Sequence, residues 1–258
     1  MNDVLSEQQE KIFVITLNRV EKHNAFDRGL LAKLYSLLQQ AEADPKIRVI
    51  VLKANGKHFS AGADAAWMQQ MASFTEEENL ADAKVLADVM LALHNSSKTT
   101  IAMVQGAAYG GGAGLAAACH IAIAAQSARF CFSEVKLGLI PAVISPYVVK
   151  AIGQRAAVWL FSSAEVISAQ RALELGLVQH SVADEELWGH TKKLAEEITK
   201  LAPLAVTACK SLVDQVAARN IDANLGEFTA SLIAKKRISA EGQRGLQAFL
   251  EKKTPVWD

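Results

Sequence analysis

Three consecutive glycines, Gly110 to Gly112, stand in the stretch GAAYGGGAGLAAACHIAIA, between an apolar run and an alanine-rich segment. Glycine at the junction of a strand and a helix permits unusual backbone angles. It also lets a ligand approach the backbone N–H groups at the positive end of the helix. A second interpretation is that the glycines serve only the tight packing of strand against helix. Under both interpretations the stretch predicts a strand, a crowded turn and a helix.

The glycine run matches neither common nucleotide-binding motif. A phosphate-binding loop requires a lysine followed by Ser or Thr, and YGGGAGLAAA contains no lysine. The dinucleotide fingerprint requires a glycine three residues after its second glycine, where Leu115 stands after Gly112. We therefore set nucleotide binding aside.

Two other segments suggest what the glycines are for. GKHFSAGADAAWM, residues 56–68, places a second small-residue turn between a strand and a helix that begins near Asp64. Two such turns can direct two backbone N–H groups at one point, which is the geometry of an oxyanion hole. In FSEVKLGLIP, Glu134 stands among apolar residues, either as a surface residue on an alternating strand or as a partly desolvated acid/base with a raised pKa.

Alternating strand and helix patterns predict the α/β class. KIFVITLNR and IRVIVLKANG are typical of strands, and FDRGLLAKLYSLLQQAEADP between them has leucines at helical spacing. KTTIAMVQG and ARFCFSE predict further strands, with the alanine-rich segment as the helix between them. From about Ser162 the pattern becomes helical. We expect a core over residues 1–195 and a helical region over residues 196–258.

Composition limits the possible partners. The chain has 258 residues, 51% of them hydrophobic, and 27 basic residues balance 27 acidic ones. No bulk charge favours nucleic acid or an acidic membrane surface. No segment predicts a membrane span or a secretory signal, and nothing predicts a metal site. Three cysteines at spacings without a motif are typical of reduced thiols, so we expect a cytoplasmic protein.

The motifs taken together resemble the enoyl-CoA hydratase/isomerase family, the crotonase superfamily, over nearly the whole chain. The segments that carry the resemblance are, in order, LNRVEKHNAFD, FSAGAD, AYGGGAGLAAACHIAIA, FSEVKLGLIPA and EGQRGLQAFLEKKTPVWD. The resemblance implies a spiral of β-β-α turns with an α-helical C-terminal region that serves assembly and covers the acyl-CoA site. It also implies a homotrimer or a dimer of trimers, an acyl-CoA thioester substrate, and no cofactor besides the coenzyme A of that substrate.

The resemblance also assigns site residues. The backbone N–H groups of Ala63 and Gly111 would hold the thioester oxygen, and Glu134 would be the acid/base. Phe249, Lys252 and Lys253 would reach the coenzyme A of a neighbouring subunit, although a solvated basic helix end is the alternative for these lysines. The full set of implied substrate and coenzyme A contacts is Lys22, Ala25, Ala61, Gly62, Ala63, Asp64, Ala65, Trp67, Tyr147, Phe249 and Lys252.

One position departs from the family pattern. Hydratases of the family use two glutamates, and the position of the first is Gly114 in this chain. We expect a hydro-lyase that adds water to the 2,3 double bond of an enoyl-CoA. One glutamate also suits an isomerase that shifts a 3-double bond to position 2. A catalytically impaired acyl-CoA-binding protein is the third hypothesis.

A narrower likeness concerns the acyl group. FSAGADAAWM together with FCFSEVKLGLIPAVISPYV is similar to bacterial 3-methylglutaconyl-CoA hydratases of leucine breakdown and to related isohexenylglutaconyl-CoA hydratases. A branched acyl group with a distal carboxylate would need a cavity near Trp67, Val143, Ile144 and Tyr147, with Ser145, Tyr147 or Lys150 as polar partners. The alternative is that AVISPYVV only packs the start of a helix.

Overall fold

Two β-sheets organise the computed structural model, which describes residues 2–257. The larger sheet has the strand order β1-β2-β3-β4-β6-β9 and the smaller one the order β5-β7-β8. The pairs β1–β2 and β7–β8 are antiparallel and the other pairs are parallel. The strands are β1 (Val4–Gln9), β2 (Ile12–Leu17), β3 (Val49–Ala54), β4 (Thr99–Val104), β5 (Ala107–Tyr109), β6 (Ile121–Ala125), β7 (Arg129–Cys131), β8 (Ile167–Ser168) and β9 (His180–Val182).

Helices connect these strands and continue alone after β9. They are α1 (Arg28–Ala43), α2 (Ala65–Met71), α3 (Glu76–Asn95), α4 (Gly111–Ala118), α5 (Ser145–Ser163), α6 (Ala169–Leu175), α7 (Leu187–Thr199), α8 (Pro203–Ala217), α9 (Ala223–Ile238) and α10 (Ala240–Leu250). Short 3-10 helices cover Val20–Lys22, Glu134–Leu137 and Asp184–Glu186. The predicted α/β class is therefore confirmed.

The centre of the larger sheet is buried on both faces. Strands β2 and β4 contain only buried residues, and β3 has a single half-buried one. Parallel sheets have helices on both sides, so their strands are apolar throughout rather than alternating. The parallel pairing places the carboxyl ends of β3 and β4 at the same edge. The SAGAD turn follows β3, whereas β4 continues through Gln105 and Gly106 into β5 of the smaller sheet, after which the glycine turn begins. Both turns therefore lie beyond the same edge of the larger sheet.

The chain divides into two compact units, Met1–Glu196 and Glu197–Asp258, close to the predicted division between residues 195 and 196. The first unit contains both sheets, and the second contains α8, α9 and α10 with the end of α7. Within residues 2–257, no helix combines the length and the hydropathy that a membrane span requires.

Several local predictions were wrong or incomplete. The strand predicted through Glu134 ends at Cys131, and Glu134 begins a 3-10 helix instead. The alanine-rich helix stops at Ala118, and the apolar residues after it form β6. We did not predict α3, although its capping box at Thr75 and Glu78 is a sequence signal for a helix start. Apolar alanine-rich segments fit strand and helix equally well, so tertiary pairing decides between them.

Asn24 secures the segment that leads into the SAGAD turn. It is 1% exposed and has a left-handed φ of 55°, and His23 before it is also left-handed, with a φ of 51°. Its Nδ2 donates to the carbonyls of Asn55 and His58, both at 2.8 Å, and its Oδ1 accepts from the Arg19 N–H at 2.8 Å. Asparagine tolerates this backbone conformation better than most residues.

We expect Asn24→Ala to lower the free energy of unfolding by about 3 kcal/mol, because three hydrogen bonds worth about 1 kcal/mol each are lost at a buried site. Urea denaturation measures the change. The exposed Asn95 gives a matched control, since Asn95→Ala should change stability by less than about 0.5 kcal/mol. Equal effects of the two substitutions would contradict the role assigned to Asn24.

Candidate active site

A parallel bridge between Phe26 and Ala63 shapes the SAGAD turn. The Phe26 N–H donates to the Gly62 carbonyl at 2.9 Å, and the Phe26 carbonyl accepts from the Asp64 N–H at 2.9 Å. In this pattern the Ala63 N–H points away from Phe26. Among residues 2–257 it has no hydrogen-bond acceptor, so it remains available to a ligand.

A second parallel bridge, between Ser60 and Ala108, joins the SAGAD turn to the glycine turn. The Ser60 N–H donates to the Ala107 carbonyl and the Tyr109 N–H donates to the Ser60 carbonyl, both at 3.0 Å. The two turns are therefore hydrogen-bonded neighbours. Gly111 follows as the first residue of α4, where backbone N–H groups have no partner within the helix.

Each glycine of the triplet has a separate structural reason. Gly110 has φ 50° and ψ −123°, a conformation that side chains disfavour. A Cβ on Gly111 would lie 2.5 Å from Phe26 Cζ, and a Cβ on Gly112 would lie 2.7 Å from the Ser60 carbonyl oxygen. Close packing and exposure of a backbone donor are therefore both present at this turn, so the two interpretations of the glycine run are compatible.

The Glu134 carboxylate lies directly beside the glycine turn. A Cβ on Gly110 would be 3.2 Å from Glu134 Oε1. The other oxygen, Oε2, is buried and has no hydrogen-bond partner among the residues that the structure describes. Burial raises the pKa of the Glu134 carboxyl above its ordinary value, while a backbone hydrogen bond opposes this in part. A carboxyl with a raised pKa holds its proton less weakly than a free carboxyl and is suited to both accept and return one.

Gly114 lies against Ile144, not against an open cavity. A Cβ on Gly114 would overlap Ile144 Cγ2, would lie 2.7 Å from Ile144 Cβ, and would lie 3.1 Å from Met90 Cε. Ile144 is 2% exposed and Met90 is fully buried. Apolar side chains therefore fill the space into which a side chain at position 114 would extend, and a second carboxylate has no room there.

Two of the predicted coenzyme A contacts are ion-pair partners. Lys22 Nζ lies 2.7 Å from Asp64 Oδ2, and Asp64 Oδ1 accepts from the N–H groups of Ala66 and Trp67 at the start of α2. The hydrogen bond from Lys22 is the main reason that the pKa of the Asp64 carboxyl is lowered. Asp64 is 5% exposed, so its carboxylate serves the helix start and Lys22.

The other predicted contacts on this side differ in exposure. Ala61 and Ala65 are exposed, Ala63 is half-buried, and Gly62 and Ala25 are buried. The exposed Ala61 and Ala65 stand before and after Ala63 in the sequence. Their role in binding coenzyme A remains a prediction.

The remaining predicted contacts lie in separate surroundings. Trp67 is buried and its indole donates to Asp82 at 3.1 Å, while Tyr147 makes an edge contact with the His94 ring at 5.4 Å. Phe249, 78% exposed, and the exposed Lys252 belong to the second unit. The structure thus brings together Ala63, Gly111 and Glu134, with Gly114 one helical turn along α4 from Gly110, whose carbonyl accepts the Gly114 N–H.

Three residues that position this site were not predicted: Phe26, Ser60 and Asp82. Phe26 follows the predicted contact Ala25 directly, so an apolar residue inside a coenzyme A segment was the available signal. Ser60 gave no comparable signal, because its side chain and backbone act through tertiary hydrogen bonds to Asn24 and Ala107. Asp82 belongs to the unpredicted helix α3.

Comparison with known proteins decides the family. The sequence profile of the enoyl-CoA hydratase/isomerase family matches residues 7–258. The chain belongs to the enoyl-CoA hydratase/isomerase family. This membership also confirms the predicted crotonase-type fold and the enzyme class, a hydro-lyase of the enoyl-CoA hydratase type.

Solved structures and characterised relatives agree with this family. A Legionella pneumophila chain assigned provisionally as an enoyl CoA hydratase/isomerase (crotonase) is 62% identical, with a TM-score of 0.95 and coverage of 98% of each chain. An enoyl-CoA hydratase from Shewanella pealeana is 41% identical, with a TM-score of 0.95 and coverage of 99% of this chain and 96% of that one. The 2,3-dehydroadipyl-CoA hydratase of Escherichia coli is 30% identical over 99% of this chain and 98% of its own.

We expect Gly114→Ala to lower the free energy of unfolding by about 1–3 kcal/mol, because the added methyl overpacks the contact with Ile144. In an Ile144→Ala background the same substitution should cost less, since Cγ2 is gone. Urea denaturation of the four proteins in this double-mutant cycle measures the coupling.

Gly189 in α7 is the matched control for this cycle, because a Cβ there meets nothing within 4 Å. Gly189→Ala should stabilise the protein by about 0.5–1 kcal/mol through its helix propensity alone. A Gly114→Ala variant that is as stable as Gly189→Ala would show that Ile144 does not restrict this position.

We expect Glu134→Gln to stabilise the protein at neutral pH relative to the unmodified chain. The raised pKa means that the unfolded chain loses the Glu134 proton at a lower pH than the folded protein does. As pH rises from the ordinary value through the folded pKa, ionisation therefore favours unfolding. Glutamine does not ionise, so the stability difference should be near zero at about pH 4 and should grow as pH rises.

Urea denaturation across this pH range measures the difference, with the exposed Glu227→Gln as control. A difference that stays constant with pH, or that equals the control, would show that Glu134 ionises in the folded protein as it does in water.

Proposed function

We propose that this protein adds water across the 2,3 double bond of an enoyl-CoA thioester. The observation that carries the proposal is the buried Glu134 carboxylate beside Gly110, the residue before the proposed Gly111 donor, in a turn that is bridged to the turn of the unpaired Ala63 N–H. Addition of water to an enoyl thioester places negative charge on the thioester oxygen. Fixed donors stabilise that charge more in the transition state than in the ground state.

In the proposed reaction Glu134 takes one proton from the attacking water. An O–C bond forms at C3 while the electron pair of the double bond moves to the thioester oxygen, held by the Ala63 and Gly111 N–H groups. Glu134 then returns the proton to C2, and the C–H bond that forms restores the thioester. Only proton transfer and oxyanion stabilisation are required, so the proposal includes no cofactor besides the coenzyme A of the substrate.

The contact between Gly114 and Ile144 favours a second candidate, the enoyl-CoA isomerase. With apolar side chains in place of a second carboxylate, one group fewer is available to orient water. In this reaction Glu134 removes a proton from C2 of a 3-enoyl-CoA and returns it to C4, with the same oxyanion hole. The chemistry needs one acid/base only.

For the acyl group we propose a branched chain with a distal carboxylate, similar to 3-methylglutaconyl. The Escherichia coli relative is named for a dehydroadipyl substrate, an acyl group that also ends in a carboxylate. Tyr147 and Lys150 support the proposal: Tyr147 contacts His94, and Lys150 Nζ lies 3.3 Å from His94 Nε2. Tyr147 lies on α5 about one helical turn after Ile144, the residue that precedes this helix, and Lys150 lies about one turn further along. Both polar side chains are therefore near the position that the acyl group would occupy in the proposal.

The assembly and location of the protein also stay proposals. We propose a homotrimer or a dimer of trimers, supported by the large apolar side chains that the second unit exposes, among them Leu204, Ile221, Ile238, Phe249 and Leu250. Phe249 and Lys252 would then approach the coenzyme A of a neighbouring subunit. A cytoplasmic location is supported by the cysteine pattern.

We expect purified protein to consume both crotonyl-CoA and 3-methylglutaconyl-CoA, with loss of the conjugated-enoyl absorbance, and to prefer the carboxylate-bearing substrate. Glu134→Gln should lower kcat by about 10²–10⁴-fold, and kcat/KM should fall as pH decreases through the raised pKa because the base form is lost. Glu227→Gln should leave kcat unchanged. No product from either thioester would contradict the hydratase proposal.

The isomerase candidate is separated by supplying a 3-enoyl-CoA and a 2-enoyl-CoA separately in labelled water. Conversion of the 3-enoyl-CoA to the 2-enoyl-CoA without uptake of solvent oxygen identifies the isomerase. Solvent oxygen incorporated from the 2-enoyl-CoA, with the 3-enoyl-CoA left unchanged, identifies the hydratase. Coenzyme A binding without either conversion would support the impaired protein.

A further inference from the structure

Phe26 meets both turns of the proposed oxyanion hole, one through its backbone and the other through its ring. Its backbone forms the bridge that turns the Ala63 N–H outward, through hydrogen bonds to Gly62 and from Asp64. Its ring covers Gly111, where a Cβ would lie 2.5 Å from Cζ and 3.4 Å from Cε1 and Cε2. Phe26 is 1% exposed, so both contacts are made inside the protein.

The Phe26 ring is itself held from the other side by Trp67. The two ring centroids are 6.3 Å apart at an interplanar angle of 64°, an edge-to-face arrangement that aromatic pairs prefer. The Trp67 indole N–H donates to Asp82 Oδ1 at 3.1 Å. Asp82 is 2% exposed, and the proposed reaction gives this buried carboxylate no chemical task.

We infer that Phe26 is a positioning residue that sets the two oxyanion donors relative to each other, and that Asp82 on α3 holds Phe26 in place through the Trp67 indole. The inference rests on the proposed function, since it assigns the Ala63 and Gly111 N–H groups to one thioester oxygen.

The physical reason is the narrow distance range of a hydrogen bond to a developing oxyanion. Both donors must lie about 2.7–3.1 Å from one oxygen atom. The donors belong to turns that follow different strands, β3 and β5, so their separation depends on what lies between them. A smaller side chain at position 26 leaves the Gly111 backbone unsupported on the side of the ring. Displacements of about 1 Å in an active site are sufficient for large losses of rate.

Phe26→Leu tests this, with Phe13→Leu as the matched control. Phe13 is buried to a similar degree, on β2 in the same hydrophobic core, and the same substitution removes the same atoms. We expect Phe26→Leu to lower kcat by about tenfold or more with KM changed less than about twofold. Phe13→Leu should lower stability comparably and leave kcat within about twofold.

Asp82 is tested by a conservative pair. Asp82→Asn retains an oxygen that can accept from the Trp67 indole, whereas Asp82→Ala does not. We expect kcat near the unmodified value for Asp82→Asn and a loss of about threefold or more for Asp82→Ala, measured on folded protein at a temperature well below unfolding. Trp67→Phe removes the N–H but keeps a ring against Phe26, so it reports on the hydrogen bond if Asp82→Ala does not fold.

The outcomes separate this inference from the proposed function. If the unmodified protein turns over no enoyl-CoA, the proposed function fails first. If it does turn over substrate, an unchanged kcat in Phe26→Leu overturns the role of Phe26. Equal kcat values in Asp82→Asn, Asp82→Ala and Trp67→Phe overturn the role of Asp82. A loss of kcat in Phe13→Leu equal to that in Phe26→Leu would show a general effect of core packing instead.

Discussion

Two single-residue backbone bridges, Phe26 with Ala63 and Ser60 with Ala108, are the interactions on which the site depends. The first bridge leaves the Ala63 N–H without an acceptor among residues 2–257, and the second joins this turn to β5, whose other edge pairs with β7. This is how a buried strand edge yields the outward Ala63 N–H beside the start of α4. Backbone groups left unpaired inside a protein are costly, so their presence here indicates a ligand that pairs with them.

Crowding at the same edge explains the composition of the glycine turn. Gly111 and Gly112 have no room for a Cβ against Phe26 and Ser60, and Gly110 lies beside the Glu134 carboxylate. The glycines therefore let the backbone of this turn approach Phe26, Ser60 and Glu134 closely. The burial that results raises the Glu134 pKa, and this makes the group suitable for proton transfer at the cost of stability at neutral pH.

Much of the fold and part of the candidate site could be predicted from the sequence. The α/β class and the SAGAD and glycine turns were predicted because turn chemistry is local and glycine is specific for it, whereas the group Ala63, Gly111 and Glu134 was assigned by the resemblance to the family. Helix α3 and the 3-10 helix at Glu134 were not predicted, since short apolar segments fit several structures. The ion pair of Lys22 with Asp64 was not predicted either, because nothing in the order of residues shows which oppositely charged groups meet.

Gly114 shows most clearly which features the sequence predicts and which depend on the tertiary structure. The sequence by itself determined that a glycine stands at the position where the resemblance implies a carboxylate in hydratases, and it predicted two small-residue turns of the kind that can form an oxyanion hole. Only the tertiary structure decided that Ile144 and Met90 fill the space, and that Phe26 contacts both the turn of Ala63 and Gly111. The physical reason is that the backbone conformation at a glycine depends on its neighbours in the sequence. Packing depends instead on which distant side chains the fold brings within contact distance.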